Sequence, residues 1–271
     1  MELFKAIFLG ALQGLTEFLP VSSSGHLVIA SELLDFKEQG VVFDVCLHVG
    51  TLLAVVIVFR KELLEMIRAP FAYLFAGDRS AETVHAWRWD LYVILATLPA
   101  VVVGLFFKDY IEALFSDTLV AYCMLLVTVA LMLTTKMLQQ RDESLNWWRA
   151  VVVGCAQACA ILPGLSRSGS TIFAGMAVGV DREKIARFSF IMSIPAIVGA
   201  AVLQIGEFVQ HPPQGQQLLG LGAGAAAAAV FGWFAIWLLL DMIRKNRLQW
   251  FGYYCLVLAA TGLAHRFFFS V

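Results

Sequence analysis

Long apolar runs separated by short charged stretches set the pattern of this chain. Six runs have the roughly 17–25 residues that a helix needs to cross a bilayer. They lie at 42–59, 91–107, 118–138, 188–205, 218–240 and 250–269. Because the hydrocarbon core offers no water to backbone groups, each run is expected to be helical. The pattern predicts an all-α integral membrane protein with six transmembrane helices.

The positions of lysine and arginine orient these spans, because cytoplasmic loops accumulate positive charge. The basic loops, expected inside, are 60–90, 139–149, 181–187 and 241–249. The loop 206–217 has no Lys or Arg, and 108–117 has only Lys108 beside three acids. Both of these loops are therefore expected outside.

Two segments remain, 1–40 and 150–180, and each has two apolar arms joined by a break rich in Pro, Ser and Gly. If 150–180 crossed once, the basic stretches that flank it would lie on opposite sides of the membrane. The charge rule therefore favours a re-entrant hairpin. The same reasoning places residues 37–41 outside and makes 1–40 a re-entrant hairpin that enters from the other face.

Five residues of the first segment recur in the second, each 144 positions later. Gly10, Gln13, Ser22, Ser24 and Gly25 correspond to Gly154, Gln157, Ser166, Ser168 and Gly169. A hairpin followed by three spans, present twice, gives halves of opposite orientation because three is odd. We expect one membrane domain, 1–271, with inverted repeats at 1–140 and 150–271. Irregular backbone at this depth must be buried in protein or line a wet cavity, so both breaks point to one shared site.

The composition agrees with a membrane chain. Charged residues make up 14% of the sequence and the mean hydropathy is +0.80, against about 25% charged in soluble domains. The net charge of −1, without a nucleic-acid motif, argues against a nucleic-acid partner. The five cysteines form no Cys-x-x-Cys pair and carry no redox or zinc argument. The small-residue run 222–229 predicts close helix contact, inside the fold rather than between subunits.

The second polar stretch, PGLSRSGST at 163–171, places Arg167 inside an apolar region. A fixed charge there usually marks function or a specific counter-ion. The serines and glycine that precede the apolar run 172–180 resemble a helix N-terminus, whose free N–H groups, with hydroxyls and a guanidinium, suit a phosphate. The alternative is a capped helix in which Arg167 pairs with a structural carboxylate.

The first polar stretch, QGLTEFLPVSSSGH at 13–26, supplies a carboxylate, three hydroxyls and an imidazole. Glu17 lies four residues after Gln13, so the two share a helix face. His26 lies three residues after Ser23, and a serine needs a neighbouring base to become a nucleophile. Glu17 could bind a divalent cation with phosphate oxygens or orient the imidazole. Opposite an anion cradle, this group of side chains indicates phosphoryl transfer.

These residues resemble a known family. QGLTE and PGLSRSGST are similar to the motifs (E/Q)xxxE and PGxSRSxxT of the bacterial undecaprenyl-pyrophosphate phosphatases of the bacitracin-resistance type. The His of VSSSGH falls where that family has its essential His. The likeness extends through FDVCLHVGTLLAV (43–55) and RFSFIMSIPAIVGA (187–200), so it covers most of the chain.

The resemblance implies a multi-pass enzyme of the bacterial inner membrane whose site faces the periplasm. It would hydrolyse undecaprenyl pyrophosphate to the monophosphate, which recycles the lipid carrier for peptidoglycan synthesis and gives bacitracin resistance. Mg²⁺ or Ca²⁺ would assist the reaction. Some members of the family have Glu where this chain has Gln13, so Glu17 alone would be the metal ligand. The implied catalytic residues are Glu17, Ser23, His26 and Arg167. The implied phosphate-binding residues are Gln13, Ser22, Ser24, Ser166, Ser168 and Thr171.

Four questions stay open at this point. In one mechanism Ser23 attacks phosphorus and His26 takes its proton; in the other, His26 is itself the nucleophile. A transporter or flippase of polyprenyl phosphate would use the same architecture and anion site. A homodimer is compatible with the sequence, and Asp44 and His48, which share a helix face, either support the site or only pack. The acid-phosphatase-like lipid phosphatases are set aside, because residues 168–179 after Arg167 contain neither His nor Asp.

Overall fold

The computed structural model describes residues 2–33, 41–115, 118–203 and 215–268. Within those ranges the chain is built from α-helices, one short 3₁₀ turn and one isolated bridge pair. The predicted all-α class is confirmed. Residues 37–40 and 206–214 of the predicted outside stretches 37–41 and 206–217 lie outside the described residues.

Within the described ranges, seven helices precede residue 140 and five follow it. The first group is α1 (Glu2–Phe18), α2 (Ser23–Leu33), α3 (Val41–Val58), α4 (Arg60–Leu74), α5 (Ala81–Phe106), α6 (Lys108–Phe115) and α7 (Thr118–Thr134), the last continued by a 3₁₀ turn at Thr135–Met137. The second group is α8 (Trp147–Cys159), α9 (Arg167–Ala177), α10 (Arg182–Leu203), α11 (Gln216–Arg244) and α12 (Gln249–Phe268).

Four stretches of the described chain are long and apolar enough to cross a membrane. They are Ala81–Phe106, Thr118–Met137, Arg182–Val202 and Gln217–Arg244. A fifth arises if α3 and α4, which meet at an angle of 82°, form one broken span. The predicted span 250–269 is a helix of 20 residues, but its tyrosines and the pair His265–Arg266 make it less apolar. The multi-pass membrane fold is confirmed, with four or five such spans where the sequence predicted six.

Helix ends follow local capping rather than the edges of the apolar runs. Helix α5 starts at Ala81, ten residues before the predicted start at 91. The Ser80 hydroxyl accepts a hydrogen bond from the Thr83 N–H at 3.3 Å, which satisfies a free donor of the first turn. The charged first turns of α5 therefore extend the helix beyond its apolar portion.

Two helical hairpins interrupt the pattern of long helices. The first hairpin is α1–α2, with residues 19–22 between its arms, and the second hairpin is α8–α9, with residues 160–166 between its arms. The second hairpin is closed at its base, where the Glu143 N–H donates to the Gly179 carbonyl at 3.2 Å. Its two ends therefore lie together, as a segment that enters and leaves on one side requires.

Each hairpin packs against a long helix of the opposite half of the chain. Helix α1 lies along α11, and α8 lies along α5. A Cβ on Gly10 would come 2.2 Å from the Gly224 carbonyl oxygen, and one on Gly154 would come 2.4 Å from that of Ala96. Small residues let these helix backbones touch. The run 222–229 is used in this way inside the fold, as predicted.

The loops that the charge rule places inside are joined by ion pairs. They are Arg187–Glu62 at 2.7 Å, Arg244–Glu183 at 2.9 Å, Lys184–Asp142 at 2.8 Å and Arg149–Glu143 at 3.2 Å. These pairs connect the loops 60–90, 139–149 and 181–187 with the end of α11. The basic stretches therefore lie on one face of the molecule.

Candidate active site

The two polar stretches meet at one ion pair. The Arg167 guanidinium donates from Nη2 to Oε1 of Glu17 at 2.8 Å, although 150 residues separate them in sequence. The two side chains are 18% and 6% exposed. The structure thus brings together the carboxylate of the first hairpin and the arginine of the second.

Glu17 is the centre of the polar contacts at this point. Its Oε2 accepts hydrogen bonds from Gln13 Nε2 at 2.9 Å and from Ser23 Oγ at 2.7 Å. Its other oxygen is held by Arg167. The Gln13–Glu17 bond follows from their spacing on one face of α1. An amide, a hydroxyl and a guanidinium therefore fix the orientation of this carboxylate.

The repeated serines cap the second helix of each hairpin. The Ser22 hydroxyl accepts from the Gly25 N–H at 3.3 Å, and the Ser166 hydroxyl accepts from the Gly169 N–H at 3.1 Å. Such a cap satisfies a backbone donor that the first turn leaves unpaired. The 144-residue repeat thus encodes two capped helix starts, one in each hairpin.

A second pair of repeated serines joins one hairpin to the other. Ser24 Oγ accepts from the Gly164 N–H at 3.4 Å, and Ser168 Oγ donates to the Leu19 carbonyl at 3.1 Å. Each serine therefore contacts the break of the opposite hairpin. These reciprocal bonds hold the two breaks against each other.

The Pro-Gly start of the second polar stretch has a steric origin. Gly164 has a φ of +90°, and a Cβ there would come 2.0 Å from the Ala121 carbonyl oxygen on α7. Its own carbonyl accepts from Thr128 Oγ1 at 3.2 Å, and that hydroxyl oxygen accepts from the Ser166 N–H at 3.0 Å. The break is thus fixed to α7, and α9 begins immediately after it at Arg167. The predicted helix N-terminus is confirmed.

A cavity of about 170 Å³ lies between the hairpins. Its lining residues are Glu17, Ser22, Ser23, Ser24, His48, Phe115, Ala160, Ile161, Leu165, Ser166 and Arg167. Since a water molecule takes about 30 Å³ in the liquid, the cavity has room for several waters or for a phosphate-sized group. Six of the ten predicted site residues form the wall of this cavity. They contribute one carboxylate, one guanidinium and four hydroxyls.

The other predicted site residues lie behind the wall. Gln13 supports Glu17, and Ser168 is bonded to the Leu19 carbonyl. Thr171 Oγ1 is buried against α10, 2.6 Å from Ser189 Oγ, and also donates to the Arg167 carbonyl at 2.8 Å. These side chains position the wall rather than contribute to its surface.

The expected contact between His26 and Ser23 is not made. His26 is buried, with Nδ1 2.8 Å from the Ser22 carbonyl oxygen and Nε2 2.8 Å from the Tyr254 hydroxyl oxygen. Both ring nitrogens are therefore engaged elsewhere, and the Ser23 hydroxyl donates to Glu17 instead. The carboxylate, rather than the imidazole, is the base in contact with Ser23.

His48 faces the cavity. Its Nε2 lies 3.7 Å from Glu17 Oε2, and its Nδ1 lies 2.7 Å from the Asp44 carbonyl oxygen. The only sequence signal was a pair of polar residues inside an apolar span, which suggested a supporting role or mere packing. Tyr254 and Phe115 gave no signal, because nothing near them in sequence relates them to the polar stretches.

The site fits a divalent cation only in part. Among the described residues, no group of three or more His, Cys, Asp or Glu side chains is placed to hold a metal. Glu17 is the acid in the cavity wall, and both of its oxygens are already bonded. Mg²⁺ is commonly held by one or two carboxylates together with substrate phosphates. A cation would therefore rest mainly on phosphate oxygens, with Glu17 as its protein ligand.

A family model and named relatives from several organisms match almost the whole chain. Residues 6–261 match the family model described as bacitracin resistance protein BacA. A protein of Desulfatibacillum aliphaticivorans named undecaprenyl-diphosphatase is 41% identical over 98% of this chain and 100% of its own length. Proteins of the same name from Carboxydothermus hydrogenoformans and Parabacteroides distasonis are 40% and 39% identical, over 97% of this chain and 97% and 98% of theirs.

Proposed function

Because the chain belongs to the BacA family of bacitracin resistance proteins, we propose that it is a membrane undecaprenyl-diphosphatase. It hydrolyses undecaprenyl pyrophosphate to undecaprenyl phosphate and inorganic phosphate. That reaction regenerates the lipid carrier of peptidoglycan synthesis. The same activity accounts for resistance to bacitracin.

The observation that carries this proposal is the Arg167–Glu17–Ser23 chain of hydrogen bonds in the wall of a cavity between two broken helices. An arginine fork and capped helix N-termini provide charge complementarity for phosphate. A serine hydroxyl bonded to a carboxylate provides an activated nucleophile. A site of this kind in a multi-pass membrane protein suits a phosphorylated lipid.

In the first step the pyrophosphate binds to Arg167 and to the hydroxyls of Ser22, Ser24 and Ser166. A guanidinium has five N–H donors, so one bond to Glu17 does not exhaust it. Ser23 Oγ attacks the terminal phosphorus while its proton passes to Glu17. The bond from that phosphorus to the bridging oxygen breaks, and the lipid monophosphate leaves, taking the proton from Glu17.

In the second step water hydrolyses the phosphoserine. The water oxygen attacks phosphorus, the bond to Ser23 Oγ breaks, and a proton from the water returns to Ser23 through Glu17. Inorganic phosphate then leaves. Positioning and charge stabilisation supply most of the rate enhancement in such transfers. A bound Mg²⁺ or Ca²⁺ would neutralise charge on the phosphate oxygens.

Phosphate release from a short-chain prenyl pyrophosphate by the purified protein in detergent tests the proposal. The wild-type chain should release one phosphate per lipid and produce the monophosphate. Ser23→Ala should reduce kcat by several orders of magnitude, since the nucleophile is lost. A wild-type preparation that is folded but releases no phosphate would refute the assignment.

Trapping the phosphoenzyme decides between the two nucleophiles. Rapid acid or base quench followed by peptide mapping should find phosphate on Ser23. Phosphoserine survives acid, whereas phosphohistidine does not, so the two quenches give opposite yields. Phosphate on His26 would establish the rival mechanism.

We further propose the membrane arrangement of six transmembrane helices and two re-entrant hairpins in inverted repeats. The reciprocal serine bonds support it, and so does the packing of α1 and α8, each against a long helix of the opposite half of the chain. Phe115, in the wall of the cavity, belongs to the predicted outside loop 108–117. This position supports a cavity that opens to the periplasmic face of the inner membrane, which is part of the proposal. A homodimer remains a proposal, which the mass of the protein–detergent complex tests.

Transport of polyprenyl phosphate is the second candidate function, because inverted hairpins around an anion site also occur in transporters. A pure transporter has no need of the Ser23–Glu17 bond. Proteoliposomes with fluorescent prenyl phosphate in one leaflet separate the activities. Movement of the monophosphate by Ser23→Ala protein would establish transport independent of hydrolysis.

A further inference from the structure

The Tyr254 hydroxyl contacts His26 from outside the first hairpin. It lies 2.8 Å from His26 Nε2, and the two residues are 228 positions apart. The rings are nearly parallel, at 8°, with centroids 5.6 Å apart. Tyr254 belongs to α12, the last helix, and its side chain is half exposed. Its hydroxyl reaches the buried imidazole.

The surroundings of the imidazole select one tautomer. Nδ1 faces the Ser22 carbonyl, which can only accept a hydrogen bond, so Nδ1 carries the proton. In the neutral ring Nε2 is then an acceptor, and the Tyr254 O–H donates to it. Without that donor Nε2 would have no partner in this buried position, and an unpaired buried acceptor is unfavourable.

The same imidazole supports an unusual backbone turn. Ser22 has a φ of +67°, in the left-handed region that non-glycine residues rarely adopt. Its carbonyl is held by the His26 ring and by the His26 N–H at 3.2 Å. The next residue is Ser23, which donates to Glu17 at 2.7 Å. The orientation of the His26 ring is therefore coupled to the placement of the reactive hydroxyl.

We propose that Tyr254 is a positioning residue of the phosphatase site, which holds the His26 ring against the Ser22 carbonyl and thereby fixes the Ser22–Ser23 turn. The proposal rests on the proposed function, since it assigns Tyr254 to that reaction. Through this bond α12, which contributes no residue to the cavity wall, stabilises the geometry of the first hairpin.

The neighbouring Tyr253 provides a matched control. Both tyrosines are 50% exposed, but Tyr253 packs edge-to-face on Trp250 at 5.8 Å between centroids rather than on a site residue. Tyr254→Phe and Tyr253→Phe remove the same single oxygen from the same helix. Any difference between them reports the contact with His26.

Tyr254→Phe should lower kcat about ten-fold with little change in KM, as expected for the loss of one buried hydrogen bond. Tyr253→Phe should keep the wild-type kcat. In a His26→Asn background, Tyr254→Phe should cause no further loss, because the two residues act through one bond. Equal kcat for both tyrosine variants, or an undiminished effect of Tyr254→Phe in the His26→Asn background, would overturn the proposal.

A readout without substrate separates this inference from the proposed function. Nitrogen NMR of ¹⁵N-histidine-labelled protein should show the Nδ1–H tautomer for His26 in the wild type and in Tyr253→Phe. Tyr254→Phe should shift or broaden the Nε2 signal, because that nitrogen loses its hydrogen-bond donor. An unchanged His26 spectrum in Tyr254→Phe refutes the inference, whereas absence of phosphate release with the expected spectra refutes only the function.

Discussion

Glu17 and Arg167 form a partly buried ion pair that serves both stability and chemistry. Removing one partner leaves the other charge uncompensated, at a cost of about 3–5 kcal/mol for a buried pair. Glu17→Gln and Arg167→Gln should each lower the unfolding temperature in detergent and abolish phosphate release. The double variant should recover much of the unfolding temperature but no activity, because neither charge is then left alone.

A double variant as unstable as the sum of the singles would mean that the two charges do not compensate each other. Cys123→Ser, at an exposed position away from the cavity, is a suitable control and should keep both properties. Loss of activity in a single variant has to be read beside its stability.

The response to metal removal also belongs to single residues. Glu17 is already bonded to Arg167, Gln13 and Ser23, so the protein offers no preformed cage. EDTA should reduce phosphate release, because it removes the cation that would assist the reaction. A ligand bound to the native state raises its stability. Since no cation is expected on the substrate-free protein, EDTA should leave the unfolding temperature of that form unchanged. A fall in that temperature on EDTA addition would show a resident metal.

For single residues, the sequence predicted which residue types form the site better than it predicted their hydrogen-bond partners. The motifs located Glu17, Ser23 and Arg167, which the structure places in contact. The partner of Ser23 was predicted to be His26, because the two lie three residues apart. His26 is hydrogen-bonded to the Tyr254 hydroxyl instead. Because the two residues are 228 positions apart, no local sequence pattern predicts this contact.

At the scale of helices, the glycines of α1 and α8 control how closely the halves approach. A Cβ on Gly10 would meet the Gly224 backbone at 2.2 Å, whereas a Cβ on Gly222 would meet nothing within 4 Å. Gly10→Ala should therefore destabilise by about 1–3 kcal/mol through overpacking. Gly222→Ala, on the partner helix α11, should not destabilise. Thermal unfolding in detergent compares the two, and equal effects would exclude steric control at this crossing.

Hydropathy predicted which segments are helical better than where helices end or bend. Helix α3 ends at Val58, close to the predicted edge at 59, but α4 follows at 82°. The charged residues Arg60, Lys61 and Glu62 start this second helix, and Glu62 pairs with Arg187 of α10. An apolar window contains no information about such a tertiary contact or about the angle between the two helices.

At the scale of the whole molecule, the charge rule makes a prediction about sidedness. Asp142 lies in the basic face and Asp109 lies on α6, near the cavity wall residue Phe115. In a background without the native cysteines, Asp109→Cys should react with an impermeant thiol reagent in intact cells. Asp142→Cys should react only after the membrane is permeabilised. Labelling of both from the same side would contradict the inverted arrangement.

Each hairpin packs against a helix of the opposite half of the chain, and this has a consequence for biosynthesis. Glu17 leaves the ribosome 150 residues before Arg167, a delay of roughly 8–30 s at 5–20 residues per second. Throughout that interval α1 has neither its counter-ion nor α11, whose Gly224 is synthesised still later. The first hairpin is therefore made before the arginine that pairs with Glu17 and before the helix against which α1 packs. The order of translation thus makes completion of the second half the event that seats the first.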